Sequence, residues 1–192
     1  MKRLNIILVG DGAVGKTPIC IAYTTGVFPD YVPSVSEHYS AFTTVDGLDY
    51  ELTLTELSGL DDYARLRALH YDANTDLIII CFSLVNRKSF TNVTEKWIPE
   101  VRQYLPDANI LLVGTKSDLR RDQSNLKSGR QRSEEPIKHD EGRQLSKMIK
   151  AERYMECSAL TMEGINDLFS EAIRIIMNKS EKESTAESCT IS

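Results

Sequence analysis

At 192 residues the chain has the length of one domain, and its 41% hydrophobic and 27% charged residues set it apart from the disordered and membrane-embedded classes. With 23 Lys and Arg against 28 Asp and Glu, the net charge of −5 gives no basic field to hold nucleic acid, which is excluded as a partner. The cysteines Cys20, Cys81, Cys157 and Cys189 follow neither a C-x-x-C rhythm nor a secretory leader, so a reduced, cytosolic protein is expected. No apolar run nears the roughly 18 residues of a membrane span, and any membrane contact needs a covalent anchor.

In chain order, Leu4–Val9 is a short β-branched run of the kind buried on both faces of a parallel sheet. Gly10-Asp11-Gly12-Ala13-Val14-Gly15-Lys16-Thr17 follows it, a complete G-x-x-x-x-G-K-[ST] between a strand and a helix. The loop Gly12, Ala13, Val14 and Gly15 turns its N–H groups to a β-phosphate. Lys16 brings a charge to the β and γ oxygens, and the Thr17 hydroxyl ligates Mg²⁺. Pro18 then falls in the first helical turn, where it removes one N–H from the phosphate site and biases Thr17 away from the αR region. Proline is also well tolerated in a first turn, so the two effects oppose each other.

Two alternating segments around Ala41–Thr55 flank Asp46-Gly47, the signature of a hairpin and hence of one antiparallel pair. Leu77–Phe82 and Ile110–Val113 are further buried strands. Phe90, Val93, Trp97, Val101 and Tyr104 recur at helical spacing over Ser89–Tyr104, as Leu168, Phe169, Ala172, Ile173 and Ile176 do over Ile165–Met177. The expected fold is a doubly wound α/β domain, with a mostly parallel six-stranded sheet, one antiparallel strand and helices on both faces. Residues 1–178 form that domain, with a polar surface insert at about 120–135 that holds at most a short helix, and 179–192 form a flexible tail.

Beyond the strand Ile110–Val113, Gly114-Thr115-Lys116-Ser117-Asp118 puts the Asp118 carboxylate past a strand's carboxyl end, where it can accept from guanine N1–H and its exocyclic amine. Thr115 and Lys116 belong to the same motif. Cys157-Ser158-Ala159-Leu160 would add a backbone N–H for the guanine O6. Taken together with Val45-Asp46-Gly47, Cys81-Phe82-Ser83-Leu84-Val85 and Glu156-Cys157-Ser158-Ala159-Leu160-Thr161, these motifs resemble the Rho family of small GTPases, most of all its Rac branch, over nearly the whole chain. The polar segment 120–135 falls where that family carries its insert.

The resemblance implies a GTP/GDP switch with Mg²⁺, and a first switch in Phe28–Tyr39. Phe28 would pack on the base, Tyr31 would close over the phosphates, and Ser34 stands where the family has a metal-ligating threonine. Tyr31, Val35, Ser36, Glu37 and Tyr39 would face effectors, although Ser36 replaces an aromatic of the usual surface. In the second switch the family reads Asp-Thr-Ala-Gly-Gln, and this chain reads Glu56-Leu57-Ser58-Gly59-Leu60.

Gly59 keeps an N–H for a γ-phosphate. Leu60 replaces the glutamine that orients the attacking water, and it can neither donate nor accept a hydrogen bond. Glu56 retains a carboxylate for Mg²⁺ through water, one methylene out of place. Hydrolysis is therefore expected to be slow or absent, and the chain largely GTP-bound. Two other arrangements stay open: a rearranged water-positioning group at Asp61 or Asp62, or an interaction module that binds nucleotide weakly. A blander reading has Leu57 and Leu60 extend a core stripe with Leu66 and Leu69.

The terminal Cys189-Thr190-Ile191-Ser192 matches a C-a-a-X box, so prenylation of Cys189 and peripheral residence on the cytoplasmic face of membranes are expected. The segment before it lacks a basic cluster, and one lipid chain gives reversible binding. By family analogy the partners of a monomeric chain would be effectors linked to actin or trafficking, exchange factors of Rho type and a prenyl-binding dissociation inhibitor.

Overall fold

The computed structural model describes the backbone of residues 1–30, 38–125 and 135–189, and side chains at 1–30, 38–121 and 135–180. A six-stranded sheet runs in the order β2-β3-β1-β4-β5-β6. Its strands are β1 (Lys2–Val9), β2 (His38–Val45), β3 (Leu48–Glu56), β4 (Leu77–Ser83), β5 (Ile110–Thr115) and β6 (Arg153–Glu156). Among the described residues only the β2–β3 pair is antiparallel, joined at Asp46-Gly47, where both residues take positive φ, 51° and 80°. The remaining pairs are parallel, as the doubly wound reading requires.

The central strands are buried on both faces, and their period of two divides the core. Leu4, Ile6, Leu8, Leu77, Ile79 and Cys81 face one side. There α1 (Lys16–Thr25) and α7 (Ile165–Cys189) cover them with Ile19, Phe169 and Ile173. Ile7, Val9, Ile78, Ile80 and Phe82 face the other side, under Trp97, Val101 and Leu145. The Leu168–Ile176 stripe is buried as expected. Of the stripe over Ser89–Tyr104, Val93, Trp97 and Val101 are core, while Tyr104 stays 40% exposed and stacks on Tyr71.

That second stripe is also not one regular helix. It divides into α3 (Arg87–Asn92), a π-helical turn Val93–Trp97, and α4 (Ile98–Tyr104). The cause is Pro99 at the start of α4: it has no N–H to give to the preceding turn, and the wider turn absorbs the mismatch. Asn86 caps the start, accepting from Ser89 N at 3.1 Å.

A short 3₁₀ turn Asp61–Tyr63 and α2 (Ala64–Ala68) follow β3, α5 (Ser117–Asn125) follows β5, and α6 (His139–Met148) precedes β6. The insert thus enters helically through α5, and 126–134 lie outside the described residues. α7 runs on to Cys189, into the segment expected as a tail from residue 179. Residues 179–189 contain no Gly or Pro and several good helix formers, so the helix outlasts its apolar stripe.

Candidate functional site

Gly10–Gly15 must turn the chain between β1 and α1. Gly10 (φ 143°) lies against β4, where a Cβ would stand 2.2 Å from the Cys81 carbonyl oxygen. Ala13 and Gly15 also take positive φ, 59° and 107°. Such departures from the αR region turn N–H groups into a concave nest suited to phosphate.

Side chains hold this loop from three directions. The Thr115 hydroxyl donates to the Val14 carbonyl at 2.5 Å and Lys116 Nζ to that of Ala13 at 2.8 Å. The Asp11 carboxylate accepts from Asn92 Nδ2 at 2.6 Å and from Trp97 Nε1 at 2.7 Å. Lys16 Nζ folds back on the Gly10 and Asp11 carbonyls at 2.9 and 3.0 Å, with Glu56 Oε1 at 4.0 Å. Burial pulls the Lys16 pKa down, against the opposing pull of Glu56.

α1 begins at Lys16 and includes Thr17 and Pro18, so the proline is accommodated in the first turn and Thr17 stays helical. The missing phosphate donor at Pro18 remains a chemical fact of the residue.

The loop floors a cavity of about 590 Å³, within the range of small-ligand sites. Gly12, Ala13, Gly15, Lys16, Thr17 and Pro18 of the loop and first helical turn line it. Phe28, Lys116, Asp118, Leu119, Ala159 and Leu160 line it as well, with Glu56, Ser58, Gly59 and Leu60. Phosphate-type and guanine-type motifs, separated by about 100 residues of chain, therefore face one space.

Other expected residues lie elsewhere. Val14 is buried and contributes its carbonyl to Thr115. Ser158 is fully buried: its N–H donates to Glu163 O at 3.0 Å and its Oγ accepts from Thr161 N at 3.2 Å, so Ala159 and Leu160 reach the cavity in its place. Tyr39, expected to face effectors, packs inward against the core beside Ala41, because those alternate positions of β2 share the inner face; Phe42 is the β2 aromatic turned outward, 71% exposed. Tyr31, Ser34, Val35, Ser36 and Glu37 lie outside the described residues, as does the Cys189 side chain.

The second switch does not extend the core. Leu57 is buried, but Leu60, Leu66 and Leu69 are exposed, which removes the leucine-stripe reading. Leu60 covers Gly12: a Cβ there would lie 3.7 Å from Leu60 Cδ2. Neither Asp61 nor Asp62 lines the cavity, and Asp61 is turned to Lys96 Nζ at 2.5 Å, a hydrogen bond that holds its carboxyl below the usual range.

Sequence reading missed the residues that hold this segment. Arg67 Nη1 donates to the carbonyls of Ser58 (3.0 Å) and Leu60 (2.7 Å), and Lys96 Nζ to that of Gly59 (3.0 Å). Both cations sit near the Trp97 ring, 5.1 and 4.4 Å from its centroid. Glu100 anchors Arg67 through two bonds of 2.7 Å and accepts from the Tyr71 hydroxyl at 2.8 Å. The only sequence signal was Pro99, whose π turn displaces Lys96 and Trp97 from regular helical positions.

Burial alone would raise the Glu100 pKa, but the bonds from Arg67 and Tyr71 outweigh it and hold the carboxyl below its ordinary value. A folded pKa below the unfolded one stabilises the fold above the unfolded value, about 4.3, and that contribution vanishes as pH falls through the folded value. Glu100→Gln is expected to lower the Tm at pH 7 by about 2–4 °C. The gap should close as the pH drops below about 4, which thermal melts across pH 3–7 would check.

The donor set fits a nucleotide with Mg²⁺. The Thr17 hydroxyl and Glu56 carboxylate are hard oxygen ligands bordering the cavity beside the amide nest, and Lys16 lies within it. A family model described as the Ras family matches residues 5–178, a span that takes in most of β1, the phosphate loop, β2 to β6 and more than half of α7. The chain belongs to the Ras family of small GTPases.

Proposed function

We propose that this chain is a Rho/Rac-type member of its family, a switch that binds GTP and GDP with Mg²⁺, hydrolyses GTP very slowly and so persists in the GTP form. The observation that carries the slow-hydrolysis reading is Leu60, whose hydrocarbon side chain covers Gly12 at the edge of the cavity. Phosphoryl transfer depends on positioning and electrostatics, and water needs a donor or acceptor to be oriented; Leu60 offers neither. Asp61 does not compensate, because it is engaged by Lys96 away from the cavity.

Thr17 and Glu56, with Ser34 by its place in the sequence, would hold Mg²⁺, which when bound neutralises phosphate charge. Lys16, already desolvated, would exchange its bonds to the Gly10 and Asp11 carbonyls for phosphate oxygens. Asp118 would accept from the guanine edge, and Phe28 and the Lys116 stem would flank the base.

The reading is tested by extracting nucleotide from protein purified in magnesium, identifying it by ion-pair chromatography and following it for several hours. Persistent GTP is expected, and turnover matching an ordinary Rac-type GTPase overturns slow hydrolysis. Pro18, which borders the cavity without an N–H, supports a second reading, an interaction module with weak nucleotide binding. An empty site after extraction would favour it.

Rho-type effectors linked to actin or trafficking, exchange factors and a prenyl-binding dissociation inhibitor follow from the resemblance. The C-a-a-X cysteine supports a cytoplasmic-face anchor. Without a basic cluster before it, Cys189→Ser is expected to shift the chain almost wholly to the soluble fraction, as cell fractionation would read. An unchanged membrane fraction would contradict prenyl anchoring.

A further inference from the structure

We infer that Asn92 and Trp97 are positioning residues that keep the acidic side chain of the phosphate loop, Asp11, turned out of the phosphate site. The inference rests on the nucleotide-site reading above. From Gly10 to Thr17, Asp11 alone carries a negative charge, and it stands between two glycines of the loop. A carboxylate swung into the amide nest would repel phosphate. Asp11 does not line the cavity, although its neighbour Gly12 does. Each of its oxygens is engaged instead by a residue that does not border the cavity: Oδ2 accepts from Asn92 Nδ2 at 2.6 Å and Oδ1 from Trp97 Nε1 at 2.7 Å.

One helix supplies both donors because it is irregular. In a regular α-helix, residues five apart stand about 140° apart around the axis, on different faces. A π turn closes its hydrogen bonds at that same spacing and brings such residues nearly into line. Asn92 and Trp97 are five apart across the π turn, where the Ile98 N–H reaches back to the Val93 carbonyl. Pro99, which causes that turn, thus sets both donors toward the loop. Trp97 is fully buried, with Arg67 and Lys96 against its ring, so its N–H is fixed in place.

The same placement serves Lys16. The Asp11 carbonyl accepts from Lys16 Nζ at 3.0 Å. Burial pulls the Lys16 pKa down, and the negative charges of Glu56 and, less strongly, Asp11 oppose that pull. Held toward Asn92 and Trp97, the carboxylate favours a charged Lys16 without entering the space of the phosphates.

The test titrates full-length wild type, Asn92→Leu, Asp11→Asn and the combined variant, each freed of nucleotide, with GDP in Mg²⁺ by calorimetry. Asn92→Leu should weaken GDP about 10-fold or more, the scale of one hydrogen bond to a charged acceptor. Adding Asp11→Asn should return most of that affinity, because it removes the charge, whereas the same change beside an intact Asn92 should alter GDP far less. A purely structural contact would leave the combined variant as weak as Asn92→Leu or weaker, since leucine restores no bond. That result, equal effects of Asp11→Asn in both backgrounds, or unchanged affinity in Asn92→Leu overturns the inference while leaving nucleotide binding intact. Wild type that binds no GDP overturns both readings. Should Asn92→Leu fail to fold, Trp97→Phe, which keeps a ring in the core and loses the N–H, decides by the same rescue.

Discussion

Leu60→Gln is expected to raise the single-turnover rate of GTP hydrolysis by about 10-fold or more, since one well-placed polar group at a reacting centre is commonly worth about 10²–10³ in rate. Part of that range is lost because Glu56 and Ser58 also depart from the family's pattern. The backbone at this position is already favourable. Arg67 holds the Leu60 carbonyl, Gly59 is seated on the phosphate loop, and the side chain lies over Gly12. A glutamine there would bring an amide to the cavity edge without having to reorganise the segment.

The effect should lie in the chemical step. GTP affinity is expected to change little, because Leu60 contributes a hydrocarbon surface and no phosphate bond. Quench-flow or filter-bound GTP decay in wild type and Leu60→Gln would measure it. Equal rates in the two proteins would show that Leu60 is not the residue that limits hydrolysis.

The sheet and the phosphate loop were legible because both rest on strong local signals. Short, β-branched apolar runs read as buried strands, and Asp46-Gly47 leaves few alternatives to a tight hairpin. The site's two ends were legible for a similar reason: a glycine nest after a strand and a carboxylate at a strand's carboxyl end each carry their chemistry in a few residues.

What escaped was long-range and mediated by side chains. Nothing near Arg67 in sequence reveals that it will bond to carbonyls seven and nine residues before it while anchored by Glu100, 33 residues later. Asp11 reads as a spacer within the glycine loop, and its partners Asn92 and Trp97 are more than 80 residues away. Ser158 is the opposite case: its motif implies a base contact, and in the fold its N–H donates to the Glu163 carbonyl while its hydroxyl oxygen accepts from Thr161 N.

Asp118→Ala should produce the largest loss of nucleotide affinity from one side chain. Asp118 lines the same cavity as the phosphate loop. It would accept two hydrogen bonds from guanine, from N1–H and the exocyclic amine. Bonds to a charged acceptor are worth about 1.5–3 kcal/mol each, so about 3–6 kcal/mol is at stake, or about 10²–10⁴ in Kd.

Alanine also leaves two guanine donors buried without partners, which keeps the loss toward the upper part of that range. The same substitution should erase discrimination against ATP, because adenine presents no such donor pair and gains nothing from the carboxylate. Competition of GTP and ATP for wild type and variant measures both effects at once. A variant that still prefers GTP by its original factor would move guanine recognition away from Asp118, to the backbone at Ala159 and Leu160 that lines the same cavity.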